Sequence, residues 1–263
     1  MSSSTFHNKV TITHIGTATA ILDIDGITFL TDPFFSPAGS TWPVVDGHVL
    51  RVTEDPALRL DQLPVIDAVL LSHENHPDNL DELGRQLLDG RHVVTTQDGA
   101  KNLAPRPSVL GFSDWQERQV RIAGKVFNIT ATPCTHWPGH ECVGFVVHTE
   151  DFGVAPDGRP NAVYFSGDTI YREDLAKVAE KYHVAIALVN LGKATFDDLV
   201  ITMDGHQAAR LLRDLKADVL VPMHYESWGH FTQGEDGLLK EFIEEGVLDQ
   251  VRWLTPGKAV KIN

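Results

Sequence analysis

Ser72-His-Glu-Asn-His-Pro-Asp-Asn-Leu-Asp81 follows the apolar run Val65-Ile-Asp-Ala-Val-Leu-Leu71 without a break. The apolar run is short and β-branched and reads as a buried strand. The polar stretch therefore starts at a strand end. On a continued strand His73 and His76, three apart, would face opposite sides, so bringing them together takes a turn. Pro77 favours an extended His76 and helps to end that turn. Asp78 or Asn79 can then cap a helix, with Asp81 and Glu82 suited to its positive end. Leu80, Leu83, Leu87 and Leu88 would form one face of that helix. Such a turn holds His73, His76 and Asp78 near one point, a donor set that suits a divalent cation. Taken alone, the same residues also suit a solvated helix cap.

Three more apolar runs end in the same kind of residue. Phe127-Asn-Ile-Thr-Ala-Thr-Pro-Cys-Thr135 leads into His136, Val163-Tyr-Phe-Ser-Gly167 into Asp168, and Val219-Leu-Val-Pro-Met223 into His224. Residues at strand ends of α/β folds line the crevice where ligands bind. One such coincidence means little, but four together point to a site built of imidazoles and carboxylates. That chemistry suits zinc, iron or manganese.

The remaining chain supplies the scaffold. Val10 to Thr13, Thr19 to Ile24 and Ile27 to Thr31 read as a β meander, with Asp25-Gly26 as a type I′ turn. Asp32-Pro33 ends it. Residues 34–62 have no period and read as a long ordered loop covering a site. Arg118 to Ile122 and Lys125 to Thr132 form a second hairpin around Ala123-Gly124. Strands at Val143 to Thr149, Ala162 to Phe165, Val184 to Val189 and Asp218 to Val221 follow, with a helical pattern at Leu175, Val178 and Ala179. Asp204-x-x-Gln207 resembles a capping box before a helix with Ala208, Leu211, Leu212 and Leu215 inward. Leu238 to Ile243 belongs to a late helix. Both halves run meander first and β–α second, which predicts two packed sheets with helices outside, in a single domain over residues 1–263.

Composition narrows the partners. Of 263 residues 42% are hydrophobic and 22% charged, which is globular usage. A net charge of −14 disfavours phosphate backbones and anionic bilayers, so the expected partner is a small-molecule substrate, with no nucleic acid and no membrane. A homo-oligomer is left open. Two cysteines give no disulfide framework, and no signal-peptide pattern opens the chain, so the expected compartment is the cytoplasm. No Gly-x-Ser-x-Gly elbow is present. Leu191-Gly-Lys-Ala-Thr195 fails as a phosphate loop, because Ala187 stands at its first glycine and Ala194 follows Lys193.

Thr13-His-Ile-Gly-Thr-Ala-Thr19, Phe29-Leu-Thr-Asp-Pro33, Leu71 to Asp81, Ala131-Thr-Pro-Cys-Thr-His136, Phe165-Ser-Gly-Asp-Thr169 and Val221-Pro-Met-His-Tyr225 together resemble the ordered motifs of the metallo-β-lactamase superfamily. The nearest flavour is the branch with the ascorbate-6-phosphate lactonases and N-acyl-phosphatidylethanolamine phospholipase D. The resemblance implies an α/β fold, a four-layer αβ/βα sandwich of two mixed β-sheets flanked by helices. It implies a metal-dependent hydrolase that uses a metal-activated water on a lactone, ester or phosphoester. By position, His73, His76 and His136 correspond to ligands of a first metal and Asp168 to the carboxylate shared between two. Asp78 and His224 correspond to ligands of the second and are the expected catalytic pair, with Asp78 orienting the water or taking its proton. Asp32 resembles the buried aspartate that supports such a site. Zinc is the expected ion, with manganese or iron as alternatives.

Two departures stand out. The family writes His-x-His-x-Asp-His, whereas this chain has one extra residue between its histidines and Asn79 at the last His. An insertion keeps His76 to Asp81 in register and predicts one tight metal site with a second that is weak or absent. Two rival functions share the residues: a mononuclear non-haem iron oxidoreductase, since two histidines and a carboxylate suit Fe(II), and a degenerate binding protein without catalysis. His14, His140, His206 and His230 read as ordinary surface or core histidines, and Cys134 as an inert thiol. Trp137, Pro138, Tyr225 and Trp228 flank ligand candidates as pocket walls or plain packing.

Overall fold

The computed structural model describes residues 6–44 and 49–262. The first half runs β1 (Val10–Gly16), β2 (Thr19–Ile24), β3 (Ile27–Thr31), β4 (Thr41–Pro43), β5 (Val49–Arg51), β6 (Ala68–Leu70), α1 (Glu82–Arg85), β7 (His92–Thr96), α2 (Gln97–Asn102) and β8 (Val109–Phe112). The second runs β9 (Glu117–Ile122), β10 (Lys125–Pro133), β11 (Val143–His148), β12 (Asn161–Phe165), α3 (Val178–Lys181) and β13 (His183–Asn190). It continues with β14 (Thr195–Phe196), β15 (Leu199–Val200), α4 (Gly205–Leu215), β16 (Val219–Met223), α5 (Glu235–Glu244) and β17 (Ala259–Lys261).

Each half begins with a hairpin whose turn residues take positive φ: Asp25 (52°) with Gly26 (83°), and Ala123 (47°) with Gly124 (83°). Two left-handed residues in succession match the right-handed twist of the flanking strands. Antiparallel strands are added first and parallel ones after. The first sheet has the order β17-β1-β2-β3-β6-β7-β8, parallel from β3 onward. The second has the order β16-β13-β12-β11-β10-β9, parallel among β12, β13 and β16.

Side-chain alternation makes the layers. Val163 and Phe165 of β12 join the core between the sheets, whereas Ala162 and Tyr164 face α4 and α5. Phe29 of the first sheet meets Phe127 of the second edge-to-face at 5.1 Å. Leu211, Leu215, Leu238 and Phe242 cover the outer face of the second sheet, and Leu80, Leu87, Leu88 and Leu103 that of the first. Helix, sheet, sheet, helix is the expected four-layer sandwich.

Local expectations fare unevenly. The ladder of β6 is limited to Ala68–Leu70 rather than the whole of Val65 to Leu71. The helix after the histidine turn is one short turn, and Leu83 is 36% exposed instead of packing with its neighbours. Its cap is Asp81, which accepts from the Gly84 amide at 2.7 Å; Asp78 and Asn79 are turned elsewhere. Asp204 does cap α4, accepting from Gln207 N at 3.0 Å, but the Gln207 side chain accepts from Tyr171 N, so the reciprocal box is not closed. The loop over 34–62 contains the paired strands β4 and β5, and its Phe34 and Trp42 pack against Trp228. Its residues 45–48 lie outside the described set.

Gly84 locks the site loop onto the end of β3, since a Cβ there would lie 1.8 Å from the Pro33 carbonyl oxygen. Backbone cannot yield as a flexible side chain can. Gly84→Ala is expected to lower unfolding free energy by about 3 kcal/mol in urea titrations. Gly234→Ala, where nothing lies within 4 Å, should stay close to wild type.

Candidate metal centre

The four strand-end residues meet at one edge of the sandwich. His73 and His76 lie on the turn after β6, His136 beyond β10, Asp168 beyond β12 and His224 directly after β16. Gly167 (φ 58°) turns the chain tightly ahead of Asp168, where a Cβ would meet the Val143 carbonyl oxygen at 2.7 Å. His73 Nε2 and His136 Nε2 each lie 3.0 Å from His76 Nδ1. The required turn is thus present, and it brings together histidines 60 residues apart.

Partners on the outer ring nitrogens fix the tautomers. His136 Nδ1 donates to the Ile201 carbonyl at 2.8 Å. His73 Nδ1 lies 2.8 Å from Ser72 Oγ, which in turn donates to Asp32 Oδ2 at 2.7 Å. His76 Nε2 lies 3.1 Å from His140 Nδ1. With the protons outside, three lone pairs converge on one point. A tetrahedral zinc site with Zn–N near 2.05 Å spaces its nitrogens by about 3.3 Å, close to what is seen. Burial pushes the His73 pKa well below the usual histidine value, and burial with the neighbouring His136 takes His76 down to about 4. These rings are neutral and ready to ligate at physiological pH.

A second group lies alongside: Asp78, Asp168 and His224, all buried. Asp168 Oδ1 accepts from Asn190 Nδ2 at 2.7 Å, while its Oδ2 has no hydrogen-bond partner. That oxygen lies 3.5 Å from His224 Nε2 and 3.9 Å from His136 Nε2, between the two groups. His224 Nε2 is likewise without a hydrogen bond, 3.6 Å from Asp78 Oδ2, and its Nδ1 donates to the Leu191 carbonyl. Buried polar atoms are seldom left unpaired, so these mark a place for a missing partner, and the donor set fits a cation. Burial opposes a charge on His224, but the carboxylates of Asp168 and Asp78 prevail and raise its pKa to about 9. Burial likewise works against ionised Asp78 and Asp168, yet His224 holds both below the usual carboxylate range.

The inserted residue is accommodated away from the centre. Glu74 turns back to Asn102 Nδ2 (2.7 Å) and Arg85 (3.2 Å). Asn79 donates to Asp32 Oδ2 at 3.0 Å, leaving its own Oδ1 buried without a hydrogen bond. Two histidines read as bystanders belong to the site's surroundings: His140 backs His76, and His230 lines the cavity with Nδ1 unpartnered. Their loops carry no period, so no pattern along the chain could have placed them. His206, by contrast, sits on the surface against Glu245.

The family model for the beta-lactamase superfamily domain matches residues 28–225. A UPF0173 metal-dependent hydrolase of Hyperthermus butylicus is 27% identical over 253 residues, covering 93% of this chain and 96% of that protein. The mitochondrial N-acyl-phosphatidylethanolamine-hydrolyzing phospholipase D of Saccharomyces cerevisiae is 26% identical over 236 residues, 84% of this chain but 48% of the yeast protein. Among solved structures, the isothiocyanate hydrolase from Delia radicum gut bacteria is alike in fold, with a TM-score of 0.76 and 22% identity over 95% of this chain and 98% of its own.

Proton linkage separates the two ligand groups. Below about pH 9 His224 carries a proton that a cation must displace. Affinity at Asp78–Asp168–His224 should therefore fall by about tenfold for each unit of decreasing pH. Burial holds His73 well below the usual histidine range and takes His76 down to about 4, so neither ring carries a proton for a cation to displace across the same range. Zinc titrations followed by pH-stat should show a first, tight uptake near neutral pH that releases less than one proton per ion. Further uptake, releasing close to one proton per ion, should emerge near pH 8. Equal proton release from both phases would contradict the assignment.

Proposed function

Because this chain belongs to the metallo-β-lactamase superfamily, we propose that it is a metal-dependent hydrolase acting on a lactone, ester or phosphoester. The observation that carries this reading is the convergence of His73 Nε2, His76 Nδ1 and His136 Nε2 beside the unpartnered Asp168 Oδ2. A relative that covers almost the whole chain bears the name of a metal-dependent hydrolase, which supports it.

His73, His76 and His136 would hold the tighter ion, Asp168 would reach both positions, and Asp78 with His224 would complete the second. Three imidazoles and carboxylate oxygens suit zinc first, with manganese or iron as alternatives. When bound, a divalent cation supplies Lewis acidity, acidifying water towards neutrality and polarising the scissile bond. Asp78 is ionised and accepts only, so its carboxylate orients water and takes a proton at Oδ2. His224 Nε2, 3.6 Å from that oxygen, is placed to share the proton. Asp32 reaches the site through Ser72 and Asn79 and is a positioning residue. It holds the His73 ring by the same device that orients ligand histidines in general.

The test is His73→Ala. Its side chain lies at the site edge rather than in the cores between the layers, so far-ultraviolet circular dichroism should match wild type. Metal retained through purification, read by elemental analysis, should fall, and turnover of an ester, lactone and phosphodiester panel should drop by at least about 100-fold, more than loss of an outer-shell partner costs. Undiminished turnover in this variant, or in protein stripped by chelator, would defeat the proposal.

A further inference from the structure

The ligand groups sit at the floor of a cavity of about 210 Å³. Its walls above the imidazoles are Val44, Leu50, Trp137, Phe196 and Ile201. Trp137 and Phe196 pack edge-to-face at 5.0 Å, which fixes the two rings as one surface. Leu50 belongs to the aromatic cluster of Phe34 and Trp228, against which Trp42, Val44 and Phe196 pack. No Lys or Arg lines the cavity among the described residues. The sequence from Phe34 to Leu50, including the four residues outside the described set, contains none either.

Resting on the hydrolase reading above, we infer that the substrate is an uncharged ester or lactone whose apolar group enters this cavity, and not a phosphate ester anion. Sites that recognise phosphate normally supply guanidinium, ammonium or a helix N-terminus. Here the wall supplies none of these. An anionic group entering here would also approach the buried carboxylates of Asp78 and Asp168. An apolar cavity of about 150 Å³ accepts a benzene-sized group, so this one takes an aryl or short alkyl chain. Within the wall, His230 Nδ1 is buried without a hydrogen bond, between the rings of Phe196 and Trp228. It offers a polar contact to the oxygen end of such a substrate.

Two comparisons test this with zinc-loaded protein, each keeping the reacting centre constant. Across p-nitrophenyl acetate, butyrate and hexanoate, kcat/KM should rise by about fourfold per added methylene, the transfer value for apolar burial. The p-nitrophenyl monoester of adipic acid matches the hexanoate in length but ends in a carboxylate. Its kcat/KM should be lower by about 100-fold or more, because the wall leaves that charge unpaired. Val44→Lys at the mouth should recover part of that loss while lowering the rate for the hexanoate. Equal rates for the matched pair, or no dependence on chain length, would overturn the inference and leave the hydrolase reading intact. Turnover of a phosphodiester but of no ester or lactone would likewise overturn the inference and leave the hydrolase reading intact. Should none of the three turn over, the hydrolase reading fails, and binding of hexanamide against adipic acid monoamide, followed by tryptophan fluorescence, decides the inference alone. Tighter hexanamide upholds it, and equal or tighter binding of the charged amide refutes it.

Discussion

One buried carboxylate holds the centre to the scaffold. Asp32, fully buried at the end of β3, accepts from Ser72 N at 2.6 Å, from Ser72 Oγ at 2.7 Å and from Asn79 Nδ2 at 3.0 Å. Burial, reinforced by the charge on Asp168, pushes its pKa up to about 8, against the pull of those same donors. The group is costly where it stands and is held by being saturated with hydrogen bonds. Its backbone takes φ 25°, an uncommon conformation for a residue with a side chain, directly where the first meander ends. Through Ser72 the carboxylate sets the His73 ring, and through Asn79 it sets the far end of the same turn. A strained, buried aspartate therefore converts the rigidity of a sheet into the position of a ligand loop.

The sandwich then does for distance what Asp32 does for angle. The candidate ligands come from both sheets, and the core between them, with Phe29 against Phe127, holds the two edges at fixed separation. The carbonyls that orient His136 and His224 come from Ile201 and Leu191, neither of them on the strands that carry those rings. A ring locked by a backbone oxygen loses little entropy on ligation, since its rotamer is already chosen. His76 is the exception: its outer nitrogen meets His140, an exposed imidazole. The centre is stiff on three sides and adjustable on the side nearest solvent.

The parts that could be read from the sequence are those written in local pattern. Apolar runs ending at His73, His136, Asp168 and His224 announced strand ends, and paired positive-φ turns announced both meanders. Layer order followed from those two facts. The first helix was misjudged because its leucines suggested a longer face, and because Asp78 and Asn79 carry good capping side chains. Those side chains are drawn into the centre, and Asp81 takes over the cap while also binding Phe35 N. His140 and His230 were invisible for a different reason. They stand on loops far along the chain from His73 and Asp78, and only folding brings them to the same cavity. Main-chain acceptors such as Ile201 O leave no mark in a sequence at all.

Asn79 shows how one substitution reshapes such a centre without dismantling it. A histidine there would direct a lone pair at the second position, but the amide turns its nitrogen onto Asp32. That adds a donor to the carboxylate which supports His73, so the first position gains stiffness. The second keeps two carboxylates and His224, whose raised pKa means that a proton already occupies the place a cation would take. Proton and cation would compete for the same pocket of negative potential. The asymmetry between the two ligand groups thus follows from ordinary acid–base chemistry.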